Sequence, residues 1–339
     1  MSELRRDPFT GRWVVIAEGR GARPNEHAGR PPAAAADPDC PFCAGHEDRT
    51  PPETAALRTP GSPANAGGWT ARAIPNKFPT LGSARSVPVG IAPPPGGDAL
   101  EGAGIHEVVI ENPDHSPGLA GLPRSARRAL FRFFRERVRS IEADPTIASV
   151  LLFENWGPES GGTLWHPHAQ IAGFPLVPAR IAEEERRFAA GDGCALERAT
   201  EAERAAGRRV LVDDPRITIV APFGSEHPYE LRIVPRTHRP SFASASDDEI
   251  DRLADLLPEA LAALLQVQPG ASYNWFVHGA GRATPASFHW HIEVVPRLVR
   301  PDGFELGSDL MVNPVPPERA AAELTASLEK RPGEKPRKR

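Results

Sequence analysis

Apolar positions along the chain follow two periods, one typical of helices and one typical of strands. Two segments carry an apolar stripe at helical spacing. The stripe positions are Leu130, Phe133, Phe134, Val138 and Ile141 in the first segment and Leu253, Leu256, Leu257, Leu261 and Leu264 in the second. Short runs rich in β-branched and aromatic residues flank each stripe and predict strands. We therefore assign both stripes to the core.

Each predicted helix belongs to a pattern that occurs twice. In the first copy a strand ends at His115 and a later histidine pair ends at His168, 53 positions on. In the second copy His238 and His291 are separated by the same 53 positions. A spacing conserved in this way indicates internal duplication. The chain is expected to have an α+β fold of two halves whose antiparallel sheets join, with helices packed on them.

The duplication predicts where the parts of the chain begin and end. We assign residues 1–190 to the first half, 191–325 to the second half, and 326–339 to a disordered basic tail. A strand is predicted over Thr10–Ile16, and a Pro-, Ala- and Gly-rich loop from Arg20 to Gly68 follows it. A loop of that length needs an anchor.

Composition excludes several classes of protein. The 339 residues carry a formal net charge of -4, which argues against a protein that mainly neutralises nucleic acid. No apolar run is long enough to span a bilayer, and the N-terminus lacks the apolar segment of a secretory signal. We expect a cytoplasmic protein without a membrane or nucleic-acid partner.

The cysteines indicate a metal site or a redox pair. Cys40 and Cys43 form a C-x2-C pair, which by itself fits half of a metal site as well as a dithiol. The many histidines favour the metal, and His46 is an alternative ligand. Cys194 lies in a glycine-rich turn and is expected to be incidental.

The segment His166-Pro-His168-Ala-Gln170 is the strongest candidate for chemistry. On a regular strand these three polar side chains share one face, whereas a bend at Pro167 turns the two histidines toward adjacent sites. Such a pair can also be two satisfied sheet histidines. The preceding segment 157–163 supplies glycines whose N–H groups can approach a phosphate, which favours phosphoryl chemistry.

These motifs together resemble the galactose-1-phosphate uridylyltransferase family of the histidine-triad superfamily. The resemblance rests on Phe153-Glu-Asn155, on His166-Pro-His168-Ala-Gln170 and on Asn112-Pro-Asp-His115, and it extends from Asp7 to about Asn313. It implies a duplicated histidine-triad-like fold and a covalent nucleotidyl-histidine intermediate. His168 matches the nucleophile of the family. Gln170, where histidine-triad hydrolases have a third histidine, favours transfer over hydrolysis.

The resemblance also implies which residues contact the nucleotide sugar and the sugar 1-phosphate. These residues are Arg20, Arg23, Asn76, Phe78, Asn155, Gly161, Gly162, Thr163 and Gln170. Arginine guanidinium groups suit phosphate oxygens, although Arg20 and Arg23 are also ordinary surface residues by composition. Family members form homodimers, so the resemblance implies a dimer.

Two metal sites follow from the same resemblance. The implied structural zinc ligands are Cys40, Cys43, His115 and His166. A second metal, zinc or iron, is implied at Glu184, His278, His289 and His291. The alternative for the second set is that histidines of a duplicated fold simply pack, and Glu183 or Glu185 can replace Glu184 as the carboxylate.

One departure from the family affects the choice of substrate. The Gly-Tyr-Glu segment that holds the hexose in well-known uridylyltransferases corresponds here to Phe304-Glu-Leu-Gly307, which is similar to a divergent branch that includes ADP-glucose phosphorylases. The leading hypothesis is UMP transfer from UDP-glucose to a hexose 1-phosphate such as galactose 1-phosphate. The alternatives are a nucleotide-sugar phosphorylase that uses inorganic phosphate, and a zinc-stabilised nucleotide-binding protein without turnover.

Overall fold

The structure of the chain is a computed structural model. It describes residues 2–22, 38–82, 97, 102–115, 118–191, 193–282 and 287–330. Within them the strands are β1 (Glu3–Arg6), β2 (Trp13–Ile16), β3 (Ala55–Arg58), β4 (Trp69–Pro75), β5 (Ile105–Ile110), β6 (Ser149–Trp156), β7 (His168–Phe174), β8 (Val210–Asp213), β9 (Ile217–Val220), β10 (Leu231–Pro235), β11 (Tyr273–His278), β12 (His291–Pro296) and β13 (Met311–Asn313). The α-helices are α1 (Gly118–Gly121), α2 (Arg124–Glu142), α3 (Ala179–Ala189), α4 (Ala195–Ala206), α5 (Asp247–Val267), α6 (Gly303–Ser308) and α7 (Pro317–Glu329).

One ten-stranded sheet runs through both halves. Its strand order is β3-β4-β5-β7-β6-β11-β12-β10-β9-β8, and all neighbouring strands are antiparallel. The strands β1, β2 and β13 form a separate small sheet. The predicted α+β fold with joined antiparallel sheets is confirmed.

The two halves meet at the pair β6 and β11, and the register there reflects the duplication. Phe153 lies directly opposite Phe276, and these two residues are 123 positions apart, as are His168 and His291. Equivalent residues therefore face each other across the junction, which places a pseudo-twofold axis between them. The single sheet also means that the predicted boundary at residue 190 does not separate two cores.

The two faces of the sheet have different partners. Helices α2 and α5 pack against each other and cover one face, where the ring of Phe134 lies 6.2 Å from that of the fully buried Trp275. Because strand side chains alternate, the odd-numbered positions of β6 and the even-numbered positions of β7, among them Asn155, His168 and Gln170, point to the opposite face. That face carries most of the candidate chemistry.

The local structure departs from the sequence-based expectation in three places. The first predicted strand starts at Trp13, because Thr10 and Gly11 form a turn in which their N–H groups donate to Asp7 and Gly11 has φ +65°. The segment predicted as one long loop contains β3. Helix α7 continues to Glu329, so residues 326–329 are helical rather than part of a tail. Residues 331–339 lie outside the described residues.

No helix of the described residues combines the length and the apolar character that crossing a membrane requires.

Candidate active site and metal clusters

His168 is the first residue of a central strand, and its ring orientation is fixed by the backbone. β7 begins directly after Pro167 and lies between β5 and β6. The ring Nδ1–H donates to the carbonyl of His166 at 2.8 Å, so Nε2 carries the lone pair. Burial lowers the pKa of His168, which is 8% exposed, although the hydrogen bond to His166 acts in the opposite direction. The imidazole is therefore neutral near pH 7, as a nucleophile must be.

Two carboxamides flank His168 on the same face of the sheet. On β6, Glu154 pairs with Ala169 of β7, and Asn155 occupies the next register position, beside His168. Gln170 pairs with Phe153. Gln170 Oε1 lies 2.9 Å from His106 Nε2 and 3.4 Å from Asn76 Nδ2. The predicted residues His168, Gln170, Asn155 and Asn76 thus form one polar row.

The glycine-rich segment after β6 turns sharply beside this row. Gly157 and Gly161 have φ of +82° and +88°, a left-handed backbone that suits glycine. A Cβ at Gly162 would lie 2.8 Å from the Asn155 carbonyl oxygen, so no larger residue fits there without a shift. Thr163 is exposed at the end of this segment. The loop therefore depends on glycine for its conformation, and its backbone lies directly beside Asn155.

The remaining predicted substrate residues differ in their placement. Phe78 is 83% exposed, and its N–H donates to the side-chain oxygen of Asn76, which places an unpacked aromatic ring next to the row. Arg20 pairs with Asp302 at 3.3 Å instead of contacting the row described above. Arg23 lies outside the described residues.

The four predicted zinc ligands lie together. Cys40, Cys43, His115 and His166 each offer a ligand atom, and these atoms lie within 4.8 Å of one another. His166 Nδ1 is 3.6 Å from the Cys40 sulfur and 3.5 Å from the Cys43 sulfur. Ordinary Zn–S and Zn–N bonds in a tetrahedron give sulfur–nitrogen separations of about 3.5 Å. The donor set and its spacing therefore fit a tetrahedral zinc ion.

The hydrogen bonds around this cluster distinguish ligands from neighbours. His166 Nε2–H donates to the carbonyl of Asn112 at 2.9 Å, which leaves Nδ1 with its lone pair facing the sulfurs. Burial lowers the pKa of His166 to about 4, so the ring is neutral. His46 instead contacts the carbonyl oxygen of Cys40 at 2.7 Å and is not part of the cluster. The bend at Pro167 thus directs His166 to the metal cluster and His168 to the sheet face.

A second cluster contains three of the four residues predicted for a second metal. Glu184, His278 and His291 lie together with Glu293, and all four are buried. Among the three successive glutamates of α3, it is Glu184 that contacts His278, at 2.9 Å. The predicted fourth ligand, His289, lies in a different cluster. The structure thus brings three of the four predicted residues together and places His289 with Cys194, Glu197 and His238.

Arginines already balance the charge of this second cluster. Arg180 forms an ion pair with Glu293, and Arg232 lies 3.9 Å from the same carboxylate. Burial opposes ionisation of Glu293, but Arg180 together with His278, Arg232 and His291 more than offsets it, so the pKa of Glu293 is well below its ordinary range. Two carboxylates facing two guanidinium groups need no added cation. The residues present thus fit a buried ion-pair network better than a metal site.

A third cluster was missed in the sequence. Cys194, Glu197, His238 and His289 lie within 4.8 Å of one another, so Cys194 is not incidental. The signal was available: adding the 123-position offset of the duplication to His115 and His166 gives His238 and His289, and Cys194-x2-Glu197 has the spacing of Cys40-x2-Cys43. The Cys194 sulfur is 3.6 Å from His289 Nδ1. This cluster is the second-half counterpart of the first one, with a carboxylate in place of one thiol.

The chain is similar to known proteins over nearly its whole length. A family model for the N-terminal domain of DUF4931, a domain of unknown function, matches residues 100–177. The chain is 29% identical over 334 residues to ADP-glucose phosphorylase of Arabidopsis thaliana, covering 94% of this chain and 91% of that protein. It is 27% identical over 344 residues to galactose-1-phosphate uridylyltransferase of Thermotoga maritima, covering 96% and 98%.

A solved structure gives the same relationship at the level of the fold. The crystal structure of an ADP-glucose phosphorylase from Arabidopsis thaliana with bound ADP-glucose matches with a TM-score of 0.79 and 27% identity, covering 96% of this chain and 98% of that one. Similarity extends over nearly the whole length in sequence and in fold. The chain is thus similar over nearly its whole length to galactose-1-phosphate uridylyltransferases and to ADP-glucose phosphorylase.

Proposed function

We propose that this protein is an enzyme that transfers a nucleotidyl group from a nucleotide sugar to a phosphate acceptor through a covalent bond to His168. The observation that carries the proposal is the hydrogen bond from His168 Nδ1–H to the His166 carbonyl at 2.8 Å. It holds the ring as the tautomer whose Nε2 can attack phosphorus. The names of the two relatives, ADP-glucose phosphorylase and galactose-1-phosphate uridylyltransferase, refer to a nucleotide sugar and to a sugar phosphate, which supports this class of substrate.

The reaction has two displacements at one phosphorus atom. In the first, His168 Nε2 bonds to the α-phosphorus, and the bond to the bridging oxygen breaks, so that the sugar 1-phosphate leaves. In the second, an oxygen of the acceptor phosphate bonds to the same phosphorus and the P–N bond breaks. A glutamine at position 170 can donate to a phosphoryl oxygen but cannot readily supply a proton, which favours transfer to phosphate over hydrolysis.

Two donor and acceptor pairs fit the family. The first is UDP-glucose with a hexose 1-phosphate such as galactose 1-phosphate. The second is ADP-glucose with inorganic phosphate, which would release ADP and glucose 1-phosphate. Glu305 does not choose between these pairs: its carboxylate accepts from the Asp302 N–H at 2.9 Å as part of a helix capping box, and the residue is 5% exposed. A carboxylate used as a helix cap is not available to hold a hexose, and both pairs contain one, so the choice between them is left to the experiment below.

Zinc has a structural role in this proposal. The cluster of Cys40, Cys43, His115 and His166 would connect the segment before β3 to the residue that precedes Pro167 and His168. A zinc ion bound there supplies four strong bonds and takes no part in the displacements. The fixed position of the His166 carbonyl is what orients His168.

Intact mass measurement tests the proposal directly. The protein is incubated separately with UDP-glucose and with ADP-glucose without acceptor, and we expect the wild type to gain the mass of one nucleoside monophosphate with the true donor. His168→Gly should gain none, whereas His227→Gly, at a histidine that contacts Glu230 instead, should behave as the wild type. Addition of inorganic phosphate or galactose 1-phosphate then identifies the acceptor by loss of the adduct.

The same experiment separates catalysis from binding alone. A nucleotide-binding protein without turnover predicts thermal stabilisation by ligand in both the wild type and His168→Gly, with no adduct and no sugar 1-phosphate released. An absent adduct with both donors would contradict the proposed function.

A further inference from the structure

The two carboxamides beside His168 can each present either an oxygen or an NH2 group to a bound phosphate. The ends of a carboxamide are similar in size, so packing alone does not select one of them. For phosphoryl transfer only the NH2 end is useful, because negative charge on the phosphoryl oxygens is stabilised by donors. What fixes each amide is therefore a question about its hydrogen-bond partners.

The orientation of Gln170 follows from a backbone N–H group. The Thr80 N–H donates to His106 Nδ1 at 3.0 Å, so the hydrogen of the neutral His106 ring is on Nε2. Burial lowers the pKa of His106, which favours this neutral form. Nε2–H lies 2.9 Å from Gln170, and the atom that faces a donor must be the amide oxygen, Oε1. The NH2 group of Gln170 is thereby left for a ligand.

The orientation of Asn155 follows in the same way from a backbone carbonyl. The carbonyl oxygen of Ser160 is 3.0 Å from the side chain of Asn274, so the contacting atom of Asn274 is its NH2 nitrogen, Nδ2. The same NH2 group lies 2.7 Å from Asn155, which must present Oδ1 to it. The NH2 group of Asn155 then points away from Asn274, and a Cβ at Gly161 would lie 4.0 Å from its nitrogen.

We propose that His106 and Asn274 are positioning residues that hold Gln170 and Asn155 with their oxygens occupied, so that both NH2 groups face the phosphoryl group attached to His168. This inference rests on the proposed function. Each of these two chains of hydrogen bonds begins at a backbone group, Thr80 N–H or Ser160 C=O, and a backbone group cannot exchange its roles as donor and acceptor. The polar row therefore has two donors oriented before the substrate binds, and Asn274 is supplied by the second half of the chain.

An isosteric reversal of polarity at Asn274 is the most direct test. Asn274→Asp keeps the shape but offers oxygens where the NH2 group was, so Asn155 must turn its own NH2 group toward position 274 and its oxygen toward the phosphate. We expect the single-turnover rate of adduct formation at saturating nucleotide sugar to fall by about tenfold to a thousandfold, the range for loss of one such donor. The KM should change little, because the donor acts mainly on the transition state.

A double-mutant comparison distinguishes positioning from general damage. If Asn274 acts through Asn155, Asn274→Asp combined with Asn155→Ala should be no slower than Asn155→Ala alone. The same holds for His106→Phe combined with Gln170→Ala. Asn65→Asp is the matched control, since Asn65 lies in an exposed turn where its oxygen already accepts from the Glu53 N–H.

Two results would overturn the inference. Equal rates for the wild type and Asn274→Asp, with the melting temperature confirming a folded variant, would show that the amide needs no such orientation. Additive losses in both double variants would show that His106 and Asn274 do not act through the amides. If Asn274→Asp fails to fold, the comparison of His106→Phe combined with Gln170→Ala against Gln170→Ala alone decides the outcome. A wild type that forms no adduct with either donor overturns the proposed function and the positioning inference together.

Discussion

At the scale of single residues, neighbouring positions of β6 serve opposite purposes. Asn155 points to the face that carries the polar row, whereas Glu154 points to the helix side and is buried with Glu111. The Trp275 indole N–H donates to Glu154, but one oxygen of Glu154 and both of Glu111 have no partner among the described residues. Burial raises the pKa of Glu154 to about 7, and it raises that of Glu111 as well, helped by the charge of Glu154. This pair is a source of instability at neutral and alkaline pH.

Removing the charge at Glu154 should therefore stabilise the protein at high pH. A carboxyl group whose pKa rises from an ordinary 4.5 to about 7 on folding binds its proton more tightly in the folded state, so its contribution is favourable at low pH and is lost as the pH rises through this window. At pH 8, Glu154→Gln should unfold at a higher temperature than the wild type, and its free energy of unfolding should be greater by on the order of 2 kcal/mol. The difference should shrink toward pH 4.5. Thermal melts across this pH range measure it, and Glu201→Gln on the exposed side of α4 should show no such trend. A difference that grows toward acid pH would contradict the assignment.

At the scale of secondary-structure elements, α2 and α5 are joined by a ladder of ion pairs. Arg124 and Arg128 on α2 both bind Asp255 on α5, each through two nitrogens. Arg132 binds Asp251 one turn earlier along α5. Burial works to raise the pKa of Asp255, but its two arginine partners lower it to about 2. The ladder fixes the register of the two helices that cover the sheet.

Asp255→Asn should destabilise the fold more than removal of a surface partner on the same helix. The side chain of Asp255 is 3% exposed and that of Asp248, which pairs with Arg216, is 73% exposed. We expect a loss of about 1–3 kcal/mol for Asp255→Asn and less than about 1 kcal/mol for Asp248→Asn. A carboxyl group whose pKa is lowered on folding stabilises the folded state at pH values above its ordinary pKa of 3.8, and this stabilisation is lost as the pH falls to about 2. The difference between Asp255→Asn and the wild type in urea melts should therefore fade across this acid range. Equal losses for the two variants at pH 7 would contradict the prediction.

The sequence predicted regular elements and equivalent histidines better than contacts between distant residues. Amphipathic periodicity identified α2 and α5, and the 53-position spacing identified the duplication, because both are repeated local signals. Short edge strands such as β3 and β8 were missed, since a few residues at a sheet edge carry little periodicity. The role of Asn274 depends on the pairing of β6 with β11, which no local pattern specifies. The third cluster was missed for another reason: a search for cysteine pairs overlooks a glutamate at the second position.

At the scale of the whole molecule, the core is continuous through both halves. The same cluster of buried side chains contains Phe134 and Ile171 from the first half and Leu257 and Ile292 from the second. The seam between β6 and β11 lies at the middle of this core, where Leu152 faces Val277. Neither half can unfold without exposing part of the other.

A cavity at the seam should consequently weaken both halves equally. Leu152→Ala removes a side chain that is 2% exposed and should cost about 2–5 kcal/mol. Native-state hydrogen exchange, read by mass spectrometry on peptides from β7 and from β12, should show the same loss of opening free energy in both strands. A loss confined to β7 would mean that the halves are independent folding units.

Fusion of the two copies in one polypeptide has a consequence for their divergence. An assembly of identical chains must carry every substitution twice, once in each symmetric position. Here His291 and Glu293 stand at the positions equivalent to His168 and Gln170, yet Arg180 pairs with Glu293 while Gln170 contacts a neutral histidine, His106. One copy could thus lose its cavity and become a scaffold, contributing a single side chain such as Asn274 to its neighbour, without any cost to the other.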